Sequence, residues 1–257
     1  MNPINCSYSI EGKGPALFLI HGIGAARDAW RFVLPELIKK FTVIVYDLRG
    51  HGSSPKSKDD FGLEDLVEDL ELLRHRTGFK SAFFAGHSLG GMIAPAYALK
   101  YPAHVKALGL LSTAAGRTKE DKDNVLSVIK LMEDKGISKT IPTLVNRWFT
   151  DSFIKKSPGI IKQRLQQVID IDPNTFLNVF RIYANTEMKS WLHKITLPTL
   201  VLTGENDKGC NPRLNQFIAN QLINSKLIIL PHFKHSILIE APNLVSKNLI
   251  NFFTKDH

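Results

Sequence analysis

The sequence predicts an α/β architecture, a mostly parallel, doubly wound sheet interrupted by a helical segment, and three observations predict it. From Ala16 to Leu111, short apolar runs alternate with stretches whose apolar residues recur at helical spacing. Between about Arg117 and Lys194 the helical spacing continues without a convincing strand. At Thr199 the alternation resumes and holds to the end of the chain. Continuous apolar strands separated by amphipathic helices are the pattern of a parallel sheet covered on both faces. The division that follows is a catalytic-type core of residues 1–116 and 195–257 carrying a helical cap at 117–194.

Element by element, Ala16–Ile20 and Thr42–Tyr46 read as strands, with a helix from Trp30 to Lys40 between them. Leu63, Leu66, Val67, Leu70 and Leu73 mark one face of a second helix. Ala82–Ala85 is a buried strand, Met92–Leu99 a helix and Val105–Leu111 a strand. In the helical segment, Val125, Leu126, Ile129 and Met132 share a face, as do Phe176, Val179, Phe180 and Tyr183. The strand Thr199–Thr203, a helix starting near Pro212, the strand Lys226–Leu230 and a helix from about Asn243 to Phe253 close the order.

Composition narrows the function classes. A chain of 257 residues, 44% apolar and 22% charged, has the size of one domain with an insertion. Its longest apolar runs fall far short of the ~20 residues that span a bilayer, and the start MNPINCSYSI lacks a charged-then-apolar leader pattern. Two cysteines, Cys6 and Cys210, are too few for a disulfide framework and have no metal-ligand spacing, so reduced thiols and a cytoplasmic location are expected. The formal charge of +9 comes from scattered cations that often alternate with acids. No basic stripe or aromatic-basic module points to nucleic acid. His75, His104, His193 and His257 have no partners at ligand spacing, so neither a metal nor another cofactor is expected.

The strongest chemical signal is Gly86-His87-Ser88-Leu89-Gly90-Gly91, which lies directly between a buried strand and a helix. It fits G-x-S-x-G in the strand, turn, helix setting of a nucleophile elbow. Such a turn holds its serine in a strained backbone conformation, and Gly86 and Gly90 provide the room it needs. A serine hydroxyl needs a base to take its proton and an acid to orient that base. Asp207 follows the strand ending at Thr203, and His235 lies in the loop after the strand ending at Leu230. Glu205 and His232 compete for these roles. Both lie closer to the strand ends, which favours Asp207 and His235. The chain order serine, acid, histidine then places each member at the carboxyl end of a strand. His21-Gly22-Ile23-Gly24, after the first strong strand, can supply the Ile23 N–H to an oxyanion hole shared with the Leu89 N–H. Asp47-Leu48-Arg49-Gly50-His51-Gly52-Ser53 reads as a turn stabilised by Asp47 and Arg49, and His87 as a structural neighbour of the serine.

These segments, with His235 followed by Glu240-Ala241-Pro242, resemble the α/β-hydrolase superfamily, and within it the small cap-bearing esterases and lactonases. The resemblance covers nearly the whole core in the family's order. It implies the α/β-hydrolase fold, with a helical cap inserted after the sixth core strand. Arg147-Trp148-Phe149-Thr150, followed by Pro158 and an amphipathic helix, is similar to 3-oxoadipate enol-lactonases. The loop Lys208–Pro212 and the pair Phe233-Lys234 depart from the usual pattern, and no substrate-carboxylate site is identifiable. Ser88 stands where haloalkane dehalogenases and epoxide hydrolases carry a carboxylate nucleophile.

The implied activity is a serine esterase or lactonase acting on a small-molecule substrate through an acyl-enzyme. Trp148, Phe149 and Phe180 are candidate substrate-pocket residues. Carbon-carbon bond hydrolysis of ring-cleavage products is the alternative on the same triad. A non-catalytic ligand-binding protein is the alternative from another class.

Overall fold

The structure is a computed structural model that describes residues 1–57 and 60–255. His257 therefore lies outside the described residues. Among the described residues seven strands form one sheet: β1 (Tyr8–Glu11), β2 (Ala16–Ile20), β3 (Thr42–Tyr46), β4 (Ala82–His87), β5 (Val105–Leu111), β6 (Thr199–Gly204) and β7 (Ser225–Leu230). Their order across the sheet is β1-β3-β2-β4-β5-β6-β7, with β1 antiparallel to β3 and every other pair parallel. Among the described residues seven helices have ten or more residues: α1 (Leu63–Thr77), α2 (Gly90–Lys100), α3 (Lys119–Lys135), α4 (Pro158–Ile169), α5 (Pro173–Asn185), α6 (Pro212–Gln221) and α7 (Pro242–Phe253).

The period of two along each strand sorts the core into two layers. Phe18, Ile20, Ile44, Tyr46 and Phe84 pack against α1, α2 and α6 through Leu66, Leu70, Met92, Tyr97, Leu214 and Ile218. Leu17, Leu19, Val43, Val45 and Ala85 face the other way, onto Trp30, Leu37 and the α7 residues Val245, Leu249 and Phe253. Burial on both faces explains why β2 is apolar at every position.

Three sequence expectations change. The helix expected from Trp30 to Lys40 is broken into a 3-10 turn, Arg27–Trp30, and one short helix, Leu34–Leu37. The apolar spacing is sound, but Pro35 has no N–H with which to continue a helix begun upstream. The helical insertion follows β5, the fifth strand of the described residues, rather than a sixth. Ahead of β1 the chain forms no further strand among the described residues, because its backbone is tied to side chains instead. The N-terminal ammonium bonds Asp65, Ile4 N–H bonds Asp69 and Ser7 N–H bonds Ser54. Arg49 does not brace the turn with Asp47. It forms a buried ion pair with Asp69 of α1 at 2.7 Å, while Asp47 alone accepts from Arg27 N–H and Ser53 N–H.

Residues 117–194 contain helices and turns but no strand among the described residues. They carry a small apolar cluster of their own, Met132, Ile141, Leu144, Val168 and Phe176. No described helix is long and apolar enough to cross a membrane.

Candidate active site

Parallel strands deliver their following loops to one edge of the sheet, and four such loops meet here. After β4 the chain turns at Ser88 with φ = 57°, a left-handed conformation costly for a residue with a Cβ. The turn is held by Ser88 N–H donating to Leu111 O at 2.9 Å and by Thr113 Oγ1 donating to Ser88 O at 2.9 Å. The two glycines are needed for space: a Cβ on Gly86 would lie 2.0 Å from Gly90 O, and one on Gly90 would lie 2.3 Å from Ile20 O.

The loop after β6 places Asp207 almost wholly out of solvent. Its Oδ1 accepts from Gly209 N–H at 3.0 Å and Cys210 N–H at 2.8 Å. Its Oδ2 accepts from His235 Nδ1 at 2.7 Å. Burial would raise the carboxyl pKa, but the His235 charge, the bond to it and the two backbone donors outweigh burial and hold it below the ordinary value. For His235, burial would lower the pKa, and the Asp207 charge and hydrogen bond overcome this to push it well above the ordinary histidine range. Gly204, at the end of β6, lets the His235 loop pass close by: a Cβ there would meet Lys234 O at 2.3 Å.

The two rivals are paired with each other elsewhere. Glu205 Oε2 accepts from His232 N–H at 2.8 Å, and both side chains are more than half exposed, His232 at 91% and Glu205 at 51%. Neither lines the cavity that holds Ser88, Asp207 and His235. His87 donates from Nε2 to His235 O at 3.0 Å, so it anchors the loop that carries His235. Burial, followed by the His235 charge, pushes its own pKa down to about 3.

The loop after β2 is ordered peptide by peptide. His21 Nε2 accepts from Leu48 N–H at 2.9 Å, which makes Nδ1 the protonated nitrogen and the donor to Gly22 O at 2.8 Å. That bond fixes the Gly22–Ile23 peptide from its carbonyl side. The N–H groups of Ile23 and Leu89 have no hydrogen-bond partner among the described residues. Gly22 gives the loop its close approach to the serine, since a Cβ there would lie 2.8 Å from Ser88 Cβ.

A cavity of about 230 Å³ opens over this edge, roofed by the insertion. The candidate residues Trp148 and Phe180 line it, together with Leu144, Val168, Phe176 and Tyr183. Phe149 does not line it. Its side chain is buried and stacks on Phe153 at 5.6 Å between centroids. Ridge and floor residues that the sequence did not single out are Arg117, Arg164 and Cys210. Arg164 carries a readable signal: at three and four residues to either side on its helix stand Ile160, Ile161, Gln167 and Val168, none of them acidic. Cys210 Sγ, an Asp207 oxygen and a His235 nitrogen lie within 4.8 Å of one another. Both Asp207 oxygens and His235 Nδ1 are already committed to hydrogen bonds, so the trio reads as an acid-base pair with a thiol beside it. Cys210 is also 3.2 Å from the Tyr183 hydroxyl.

Residues 15–242 match the family model described as alpha/beta hydrolase fold. Among relatives, the chain is 27% identical to the (E)-2-((N-methylformamido)methylene)succinate hydrolase of Acinetobacter baylyi, over 93% of this chain and 90% of that protein. It is 25% identical to the 3-oxoadipate enol-lactonase 2 of the same organism, over 92% and 88%. Among solved structures, the enol-lactonase from Burkholderia xenovorans superposes with a TM-score of 0.91 at 22% identity, covering 98% of each chain. A thermophilic esterase from Thermogutta terrifontis gives 0.88 at 26% identity, covering 97% of this chain and 93% of that one.

Proposed function

The chain belongs to the alpha/beta-hydrolase family, and on that premise we propose that it is a serine hydrolase cleaving small carboxylic esters or lactones through an acyl-enzyme. The observation that carries the reading is the strained Ser88 sharing one cavity with the bonded pair His235–Asp207. Ser88 Oγ attacks the acyl carbon while His235 Nε2 takes its proton and Asp207 stabilises the imidazolium. The oxyanion lies against the N–H groups of Ile23 and Leu89, which are free to receive it. Collapse breaks the bond to the alkoxy oxygen, and His235 returns the proton to that leaving group. Water, deprotonated by His235, then attacks the acyl-enzyme and regenerates Ser88.

Residues 117–194 act in this reading as a cap that excludes bulk water and sizes the substrate. The substrate carries negative charge: Arg117, Arg147 and Lys208 line the cavity and have no ion-pair partner among the described residues. Names among the relatives, (E)-2-((N-methylformamido)methylene)succinate hydrolase and 3-oxoadipate enol-lactonase 2, support a carboxylate-bearing substrate.

The test is hydrolysis of p-nitrophenyl esters from acetate to octanoate, with neutral lactones and carboxylate-bearing lactones alongside. Wild type is expected to turn over the short esters and to favour charged lactones over neutral ones, and Ser88→Ala to lose at least about a thousandfold in kcat. Wild-type turnover that survives in Ser88→Ala rejects the serine mechanism. Tight ligand binding without turnover in either protein points to a binding protein.

A further inference from the structure

The oxyanion loop is held from two sides. Its first carbonyl, Gly22 O, is bonded by His21 of the core. Its next two, Ile23 O and Gly24 O, are bonded by one side chain from the helical insertion: Arg164 of α4 donates from Nη2 to Ile23 O at 3.0 Å and from Nη1 to Gly24 O. Three consecutive carbonyls are thus engaged while the Ile23 N–H is left free. The packing repeats the arrangement, because Gly24 sits at φ = 64° directly beneath the insertion. A Cβ on it would meet Phe176 at 2.7 Å and Val168 at 3.1 Å.

Arg164 has no ion-pair partner among the described residues, although it lies at the cavity wall with its guanidinium 5.6 Å from the Trp148 ring. Burial pulls its pKa down to about 10, and Asp28 only partly opposes this. A half-buried cation without a carboxylate is costly to keep. Its hydrogen bonds go to main-chain oxygens and, at 3.3 Å, to Gln167. A planar guanidinium can bridge two neighbouring carbonyls in a fixed geometry, which a point-charge ammonium cannot.

We propose that Arg164 is a positioning residue for the oxyanion hole: it locks the Ile23 and Gly24 carbonyls so that the Ile23 N–H points at the reacting oxygen only when the insertion is seated. The inference rests on the serine-hydrolase reading and deepens it, by making the insertion a part of the transition-state machinery as well as a wall of the cavity. Its mechanism is preorganisation, since a loop free to rotate its peptides must be reoriented during the reaction.

The experiment is steady-state kinetics on p-nitrophenyl acetate, a substrate too small to need the far end of the cavity, with Arg164→Ala and Arg164→Lys. Arg164→Ala is expected to lose about 10- to 100-fold in kcat, below the 10²–10³ typical when an oxyanion donor is removed outright. KM is expected to stay within about threefold, because the carbonyl bonds act on the transition state rather than on substrate binding. Arg164→Lys should recover part of the loss. Affinity for a trifluoromethyl ketone, whose adduct with Ser88 needs the oxyanion hole, should fall in step with kcat/KM. Affinity for the corresponding non-electrophilic alcohol should not. If Arg164→Ala melts below the assay temperature, Arg164→Gln, which removes the guanidinium but keeps a polar side chain, carries the same comparison. A folded Arg164→Ala with kcat within twofold of wild type overturns the inference, as does a loss confined to KM or one shared equally by ketone and alcohol. Absence of any Ser88-dependent turnover in wild type would instead reject the reading beneath it.

Discussion

At the scale of single residues, the site depends on a few atoms whose surroundings set their protonation. In the proposed mechanism His235 must be neutral to accept the Ser88 proton, and the Asp207 carboxylate holds its pKa above the ordinary histidine value of about 6.5. Activity is therefore expected to fall as pH drops through that raised value. In Asp207→Asn the charge that raises it is gone and burial, which lowers it, remains. The acid limb of kcat/KM should move to lower pH while the rate at the plateau drops by roughly 10⁴. A pH-rate profile of both proteins checks this, and an unmoved limb in the variant would assign the limb to another group. His87 does not confuse the reading, since its pKa is pushed down to about 3. That Ser88, Asp207 and His235 would meet in one cavity was legible in the sequence, because strand ends and glycines fix where such residues stand. For Arg164 the sequence offers only the lack of an acidic neighbour at helical spacing, and its two carbonyl partners, 140 and 141 residues away, could not be read.

At the scale of elements, legibility followed burial. The strands β2 to β6, apolar on both faces, could be read directly from their residues. The antiparallel β1 could not: Tyr8–Glu11 is four residues long, half-buried to exposed, and has no apolar run of its own. It is recruited by pairing with β3. Phe149 failed for a related reason, since an aromatic in the segment Arg147-Trp148-Phe149-Thr150 does not reveal whether its ring meets a cavity or a neighbour such as Phe153. The tie between Arg49 and α1 was also hidden. Arg49 and Asp69 are each 1% exposed and bonded twice, Nε to Oδ2 at 2.9 Å and Nη2 to Oδ1 at 2.7 Å. Asp69→Ala would strand the buried guanidinium and leave Ile4 N–H without its acceptor. A loss of about 3–5 kcal/mol in urea unfolding is expected. A loss under ~1 kcal/mol would mean that Arg49 finds solvent in the variant.

At the scale of the whole molecule, the fold class and the meeting of four loops at one sheet edge followed from the order of elements, and the roof of the cavity did not. Chain order does not reveal that α4 and α5 fold back over the loop after β2. The sheet itself ignores the insertion: β5 and β6 pair in parallel register from Leu108 with Thr199 to Leu111 with Leu202. A single proteolytic cut between α4 and α5, near the exposed Asp170, should therefore leave two fragments that migrate as one species in gel filtration and separate only in denaturant. Separation of the nicked chain under native conditions would show that the insertion's covalent continuity is needed to hold the sheet.

Because β5 and β6 pair directly across the point where the insertion leaves and rejoins the sheet, the insertion is expected to be exchangeable as a cassette without rewriting the sheet. The clasp on the loop after β2 sets the terms of that exchange. On the proposed mechanism, a borrowed cassette that fits the edge but brings no donor for those two carbonyls would leave Ser88, Asp207 and His235 in place but idle. Compatibility between roof and floor, more than the choice of nucleophile, would then limit how readily such a chain acquires a new substrate.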